Sequence, residues 1–214
     1  MKSYIFTVGI HEDFAVRRLV STNVGRDDVI VVLVKSPITG GNRRAINGLS
    51  AVMSKMGLRD AVVKEIEVKD IFHVVDQVSE ILKEVKDPLI VDISGGESKT
   101  LAIGTILAVA VNKRVGRIYL EEDEEVSFQI EDFRTAAEGL SSELLKVLST
   151  VVANPGIRHE VIAEMTGKKL KTTMNVVGIL KKKRLVYQKG RGDGIYPTKL
   201  GILISKLNQE NNRK

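Results

Sequence analysis

Two short stretches of this 214-residue chain bring glycines, hydroxyls and cations together, which is the chemistry of holding a phosphate, and a third glycine loop stands with them. The clearest reads Val91-Asp92-Ile93-Ser94-Gly95-Gly96-Glu97-Ser98-Lys99-Thr100. An apolar run ends there, two glycines follow, and a long apolar helix opens with a lysine in its first turn. Glycine lets backbone N–H groups close on an anion, and a helix N-terminus adds a positive end. The second stretch runs from Lys35 through Ser36, Pro37, Thr39, Gly40, Gly41 and Asn42 to Arg43 and Arg44, and the third is Gly9-Ile10-His11-Glu12-Asp13. Ser94, Gly95, Gly96, Glu97, Ser98 and Lys99 are therefore candidate ligand contacts. Gly9, Ile10, His11, Ser36, Pro37, Asn42 and Arg43 stand beside them.

Hydrolysis of a nucleoside triphosphate is disfavoured. A phosphate-binding loop of the form G-x-x-x-x-G-K-[ST] needs glycines where Ile93 and Ser98 stand, although Lys99-Thr100 fills its last two places. The dinucleotide fingerprint G-x-G-x-x-G is also missing. The bland alternative is a tight strand-to-helix turn in which Gly95 and Gly96 supply positive φ.

A second constellation lies near the C-terminal end. Lys168, Lys169, Lys171, Thr172, Thr173 and Asn175 cluster where a helix over 170–183 begins, and Lys189 and Arg191 sit in the glycine-rich turn Lys189–Gly194. A recognition helix enters the major groove by its N-terminal end, where Asn and Thr can touch base edges and lysines hold phosphates. Charge follows the same division. Residues 1–139 hold 18 Lys+Arg against 22 Asp+Glu, a net −4, and residues 140–214 hold 15 against 5, a net +10. That asymmetry implies two domains, 1–132 and 140–214, the second facing double-stranded DNA. A protein-binding module or a solvated basic face is the alternative.

The elements that must position these residues alternate. Short β-branched runs at 3–8, 28–34, 61–67, 88–93 and 116–120 read as strands, with helices between them near 12–23, 41–57, 70–85 and 98–113. This predicts an α/β fold with a mainly parallel, Rossmann-like sheet covered on both faces. Residues 125–130, after the acidic turn 121–125, predict a last antiparallel strand, and 131–140 a short joint. In such sheets ligands bind outside the carboxyl ends of the strands, and all three candidate loops fall there. The helix over 101–111 is apolar all round, so it needs cover beyond the sheet: a second copy of itself, giving a homodimer, or burial within the monomer beneath 131–140. In the C-terminal part, helices at 141–153, 159–165 and 170–183 are followed by strands at 185–188 and 195–197 and a last helix at 198–207. That order is a winged helix-turn-helix, with Val176, Val177, Ile179 and Leu180 expected inward.

Composition sets the outer limits. There is no cysteine, which fits a reducing cytoplasm and excludes thiolate metal sites, and the three histidines (His11, His73, His159) have no metal-ligand spacing. No apolar run reaches the ~20 residues of a membrane span, and the N-terminus is too briefly apolar for a signal peptide. No membrane partner, metal or cofactor is expected.

Together the two halves resemble the CRISPR-associated transcriptional regulators of archaea, in which a Rossmann-like CARF domain precedes a winged helix-turn-helix. In that family the loop after the fourth strand reads Asp/Asn-x-Ser/Thr-Gly-Gly-Thr-Lys/Arg. Here Asp92-Ile93-Ser94-Gly95-Gly96 matches, and the loop is one residue longer before Lys99 and carries Glu97. The resemblance implies a homodimer that binds a cyclic oligoadenylate, cyclic tetra-adenylate first, and adjusts promoter binding of CRISPR genes. Two alternatives accompany it: slow cleavage of the ring by the same domain, with His11 as the one base in view, and a repressor that senses another phosphorylated small molecule.

Overall fold

A computed structural model describes residues 1–121, 124–190 and 192–211, with side chains through Leu207. The chain divides into two compact units, Met1–Ile130 and Glu131–Lys214.

The first unit is a six-stranded sheet. Strands β1 (Ser3–Thr7), β2 (Val29–Lys35), β3 (Val62–Ile66), β4 (Leu89–Asp92), β5 (Gly116–Glu121) and β6 (Glu125–Gln129) lie in the order β3-β2-β1-β4-β5-β6. All pairings are parallel except β5–β6. The chain builds one way from β1 to β3, then restarts beside β1 at β4, so the strand order switches between β1 and β4. Register brings the ends together: Thr7 lies opposite Leu33, Phe6 opposite Asp92, and Lys35 opposite Ile66.

Alternation along the strands feeds two cores. Ile5, Val31, Leu33 and Val91 meet helices α3 (Ile71–Leu82) and α4 (Lys99–Val111) on one face. Tyr4, Phe6, Val32 and Val34 meet α1 (Asp13–Ser21) and α2 (Gly40–Lys55) on the other. Because both faces are covered, the central strands read as unbroken apolar runs.

The apolar helix finds its second cover inside the first unit, from α3. Gly104 makes the approach possible, since a Cβ there would meet a Val74 methyl at 2.4 Å. Leu101, Thr105, Ala108 and Val109 are buried, leaving Ile103 and Val111 outside. The 101–111 pattern alone therefore does not require a second copy. The short joint at 131–140 is largely helical: α5 (Ile130–Glu138) comes directly after β6, with Glu131 and Asp132 in its first turn where the helix dipole favours acids.

The second unit holds α6 (Ser142–Ala153), α7 (His159–Thr166), α8 (Leu170–Lys182), a hairpin of β7 (Val186–Gln188) and β8 (Ile195–Pro197), and α9 (Lys199–Asn211). Ser141 caps α6, and Gly167 in the left-handed region ends α7 in the tight turn before α8. Val147, Leu148, Ile162, Val177 and Leu180 form the core with Leu185 and Ile195. The element order is that of a winged helix-turn-helix. Among the described residues no helix is long and apolar enough to cross a membrane.

Candidate functional site

The carboxyl ends of β2, β1 and β4 enclose a cleft of about 130 Å³ at the switch point. Its walls include Lys35, Ser36 and Pro37 after β2, and Gly96, Glu97 and Ser98 before α4. The loop after β4 is pressed against β1: a Cβ on Gly95 would lie 2.5 Å from the Thr7 carbonyl, and the Thr7 hydroxyl donates to the Gly95 carbonyl. Gly96 alone of the pair has positive φ, at +102°. Gly95 is required for space and Gly96 for backbone shape, rather than both for shape.

The consequence is a run of open donors. Ser98 caps α4, its hydroxyl accepting from Leu101 N–H at 3.2 Å. From Gly95 to Thr100, every backbone N–H finds no acceptor among the described residues. Lys35 on the cleft wall and Lys99, which opens α4 but is not part of that wall, are exposed and are paired with no described acid. Open amides, a helix N-terminus and a neighbouring cation are the kinds of group that hold anions.

Several predicted contacts brace the loops instead of facing a ligand. Asn42 is buried: its Nδ2 donates to the Gly9 carbonyl at 2.9 Å, and its Oδ1 accepts from Thr39 N–H at 2.9 Å. Its amide is spent in tying the first loop to the second, so it touches the cleft only as wall. The Ser36 hydroxyl donates to Glu65 Oε1 at 2.8 Å, and the Ser94 hydroxyl accepts from Glu121 N–H at 2.8 Å. Ile10, His11 and Arg43 are exposed and outside the cleft wall, and Gly9 is buried against Gly96.

Sequence reasoning missed what holds the cleft from behind. Arg18 on α1 is buried, its Nε 2.8 Å from Asp92 Oδ2 and its NH2 2.8 Å from Glu125. The guanidinium also lies 3.6 Å from the centre of the Tyr119 ring. Burial would lower the Arg18 pKa, but hydrogen bonds and charge from Asp92 and Glu125 outweigh it and raise it. Asp92 Oδ1 in turn accepts from Ser94 N–H at 2.9 Å, which fixes where the glycine loop begins.

In the second unit Lys169, Lys171, Thr172 and Asn175 are exposed on the first two turns of α8 or its cap. Thr173 is not available: it is fully buried, and its Oγ1 has no described partner. Lys168 is half-buried and paired with Glu143 at 2.6 Å. Ile179, expected inward, is exposed, as are Met174 and Leu170, so the outer face of α8 is more apolar than the residue types suggested. On the wing, Lys189 lies over the Tyr196 ring at 5.3 Å, and Arg191 lies outside the described residues, as do Glu122 and Asp123 of the acidic turn. Burial first, and then Lys181, push the His159 pKa down, so this half-buried residue adds no charge at neutral pH.

A Rossmann-like domain with a cleft at its switch point, joined to a winged helix-turn-helix, sets the class of protein. Residues 2–132 match the Csa3 CRISPR-associated Rossmann-like domain, so the chain belongs to the Csa3 family of CRISPR-associated regulators. It is 29% identical over 213 residues to the "CRISPR locus-related putative DNA-binding protein Csa3" of Saccharolobus solfataricus, covering 98% of this chain and 90% of that one. Two solved structures also show similarity. MepR, a transcription regulator of the Staphylococcus aureus multidrug efflux pump MepA, has TM-score 0.33 and 20% identity over 37% of this chain and 63% of its own. A MarR protein from Peptoclostridium difficile has TM-score 0.33 and 23% identity over 55% and 70%.

Proposed function

We propose that this protein is a ligand-responsive transcriptional regulator of CRISPR genes, in which the Rossmann-like domain binds cyclic oligoadenylate, cyclic tetra-adenylate first, and the winged helix binds promoter DNA. The observation that carries the ligand reading is the row of open amides from Gly95 to Thr100, part of it on the cleft wall with Lys35. Enclosing pockets for drug-sized ligands run to roughly 300 Å³ and more. A cleft of about 130 Å³ holds one phosphate or one base of a larger ligand. A ring of four nucleotides has its own two-fold axis and suits two such clefts from a homodimer. Phe72, Ile103 and Val111 are exposed apolar residues on α3 and α4 that a second copy would cover. His11 lies off the cleft wall, so no observation favours ring opening over binding.

Labelled cyclic tetra-adenylate should be retained by the protein and recovered intact. Lys99→Ala should weaken binding about ten- to hundredfold, the worth of one charge-assisted contact. Gly95→Ala should do the same by forcing the loop off Thr7. Unchanged affinity in both variants, measured by calorimetry, would place the site elsewhere, and linear products would establish cleavage.

DNA binding is supported by the charge of the second unit, by the exposed cap and first turns of α8, and by the description of the Saccharolobus relative as DNA-binding. Affinity for promoter DNA should fall steeply with salt, and Lys171→Ala should reduce the slope of log K against log salt by about one unit. Lys168→Ala should change it less, because Glu143 already neutralises that lysine. Equal slopes for wild type and Lys171→Ala would remove α8 from the interface.

A further inference from the structure

The cleft that gathers open amides and Lys35 also has an acid on its wall. Glu97 lines it, is exposed, lies between the open N–H groups of Gly96 and Ser98, and has no described ion-pair partner. A carboxylate in an anion site opposes binding, so its effect depends on how much charge the ligand concentrates there. A phosphodiester carries one negative charge, whereas a terminal phosphate monoester carries about −1.5 to −2 at neutral pH. A carboxylate also accepts hydrogen bonds from ribose hydroxyls or an adenine amino group, which the surrounding donors do not.

We infer that Glu97 is a specificity-determining residue: it admits ligands whose phosphates are all diesters and turns away mononucleotides with terminal phosphates. The inference rests on the ligand reading above and deepens it. One further unit of charge about 4 Å from a carboxylate changes affinity about fivefold at water-like screening, and more in a desolvated cleft. Lys35 attracts both ligand types, and the Glu65 carboxylate is already held by the Ser36 hydroxyl and the Ile38 N–H, so the discrimination falls to Glu97. Free mononucleotides would otherwise compete for the same amides.

The test is calorimetry of wild type and Glu97→Gln with two probes, cyclic tetra-adenylate and 5′-AMP, at low and high salt. The substitution keeps size and hydrogen-bonding capacity at an exposed position. Glu97→Gln is expected to tighten AMP binding about fivefold more than it tightens ring binding, and to lose this difference as salt rises. Equal tightening for both probes would overturn the inference, since the carboxylate would then set only the general potential. AMP affinity that stays the same, or stays undetectable in both proteins at millimolar concentration, would overturn it as well. Failure of wild type to bind the ring would defeat the ligand reading by itself, while the AMP arm would still decide whether Glu97 excludes monoesters.

Discussion

Arg18→Met is expected to destabilise the sheet domain by about 3–5 kcal/mol, because it breaks a buried ion pair and leaves a buried carboxylate without its partner. The Arg18 and Asp92 side chains are 4% and 2% exposed, so water cannot take over the lost bonds. Met has similar length and fills much of the same space, so the cavity contribution is small beside the electrostatic one. At a few degrees per kcal/mol, the transition of this domain should fall by on the order of 10 °C. Glu125→Gln should cost far less, since Glu125 is half exposed and Arg18 keeps Asp92. The double variant Arg18→Met, Asp92→Leu should recover part of the loss, as apolar replacement of both partners removes the unpaired charge. The check is calorimetric unfolding of the full chain, wild type and variants side by side. A loss below about 1 kcal/mol for Arg18→Met would show that solvent reaches Asp92 in the folded state.

The ion pair also marks where local reading of the chain ends. Strand and helix positions come from apolar period and β-branched runs, which are local, and all six strands of the sheet fall where those signals lie. Asp92 and Arg18 are 74 residues apart, and Ser36 and Glu65 are 29 apart, so no spacing rule pairs them. An aspartate ending a fully buried strand is the available signal, and in the sequence it reads only as part of the glycine loop. In α8 the signal is local and present. Thr173, Val176, Val177 and Leu180 share one stripe at helical spacing, which puts the threonine inside and turns Ile179 out. In α4 apolarity on every side does imply hidden cover, but the cover is α3, and the small Gly104 that admits it gives no periodic signal. Residues 131–138 lack a capping pattern, so the helix there reads as a joint.

Ligand and DNA should alter each other's affinity by the same factor, about 5- to 150-fold if the coupling is of ordinary size, 1–3 kcal/mol. The expectation comes from the proposed two-site function and from how the chain is connected. The strand β6 ends at Gln129 and α5 begins at Ile130, so the chain passes from the sheet directly into α5. Within the second unit α5 is clipped to Lys183 and Arg184, the two residues just past the end of α8. Asp132 meets Arg184 at 2.6 Å and Glu138 meets Lys183 at 3.3 Å. A change in the sheet's strand ends therefore has a direct covalent route into a helix that is ion-paired to the DNA-binding unit. In a dimer the two recognition helices must meet half-sites about 34 Å apart, so a small change in their separation changes affinity in either direction. The measurement is promoter-DNA affinity at fixed salt with and without saturating cyclic tetra-adenylate, and ring affinity with and without saturating promoter DNA. Equal factors in the two directions establish linkage. Asp132→Asn combined with Glu138→Gln should reduce that common factor while leaving ring affinity of the DNA-free protein unchanged, because neither residue lies in the cleft. Promoter affinities that are identical with and without the ring would mean that sensing and DNA binding share a chain without sharing free energy.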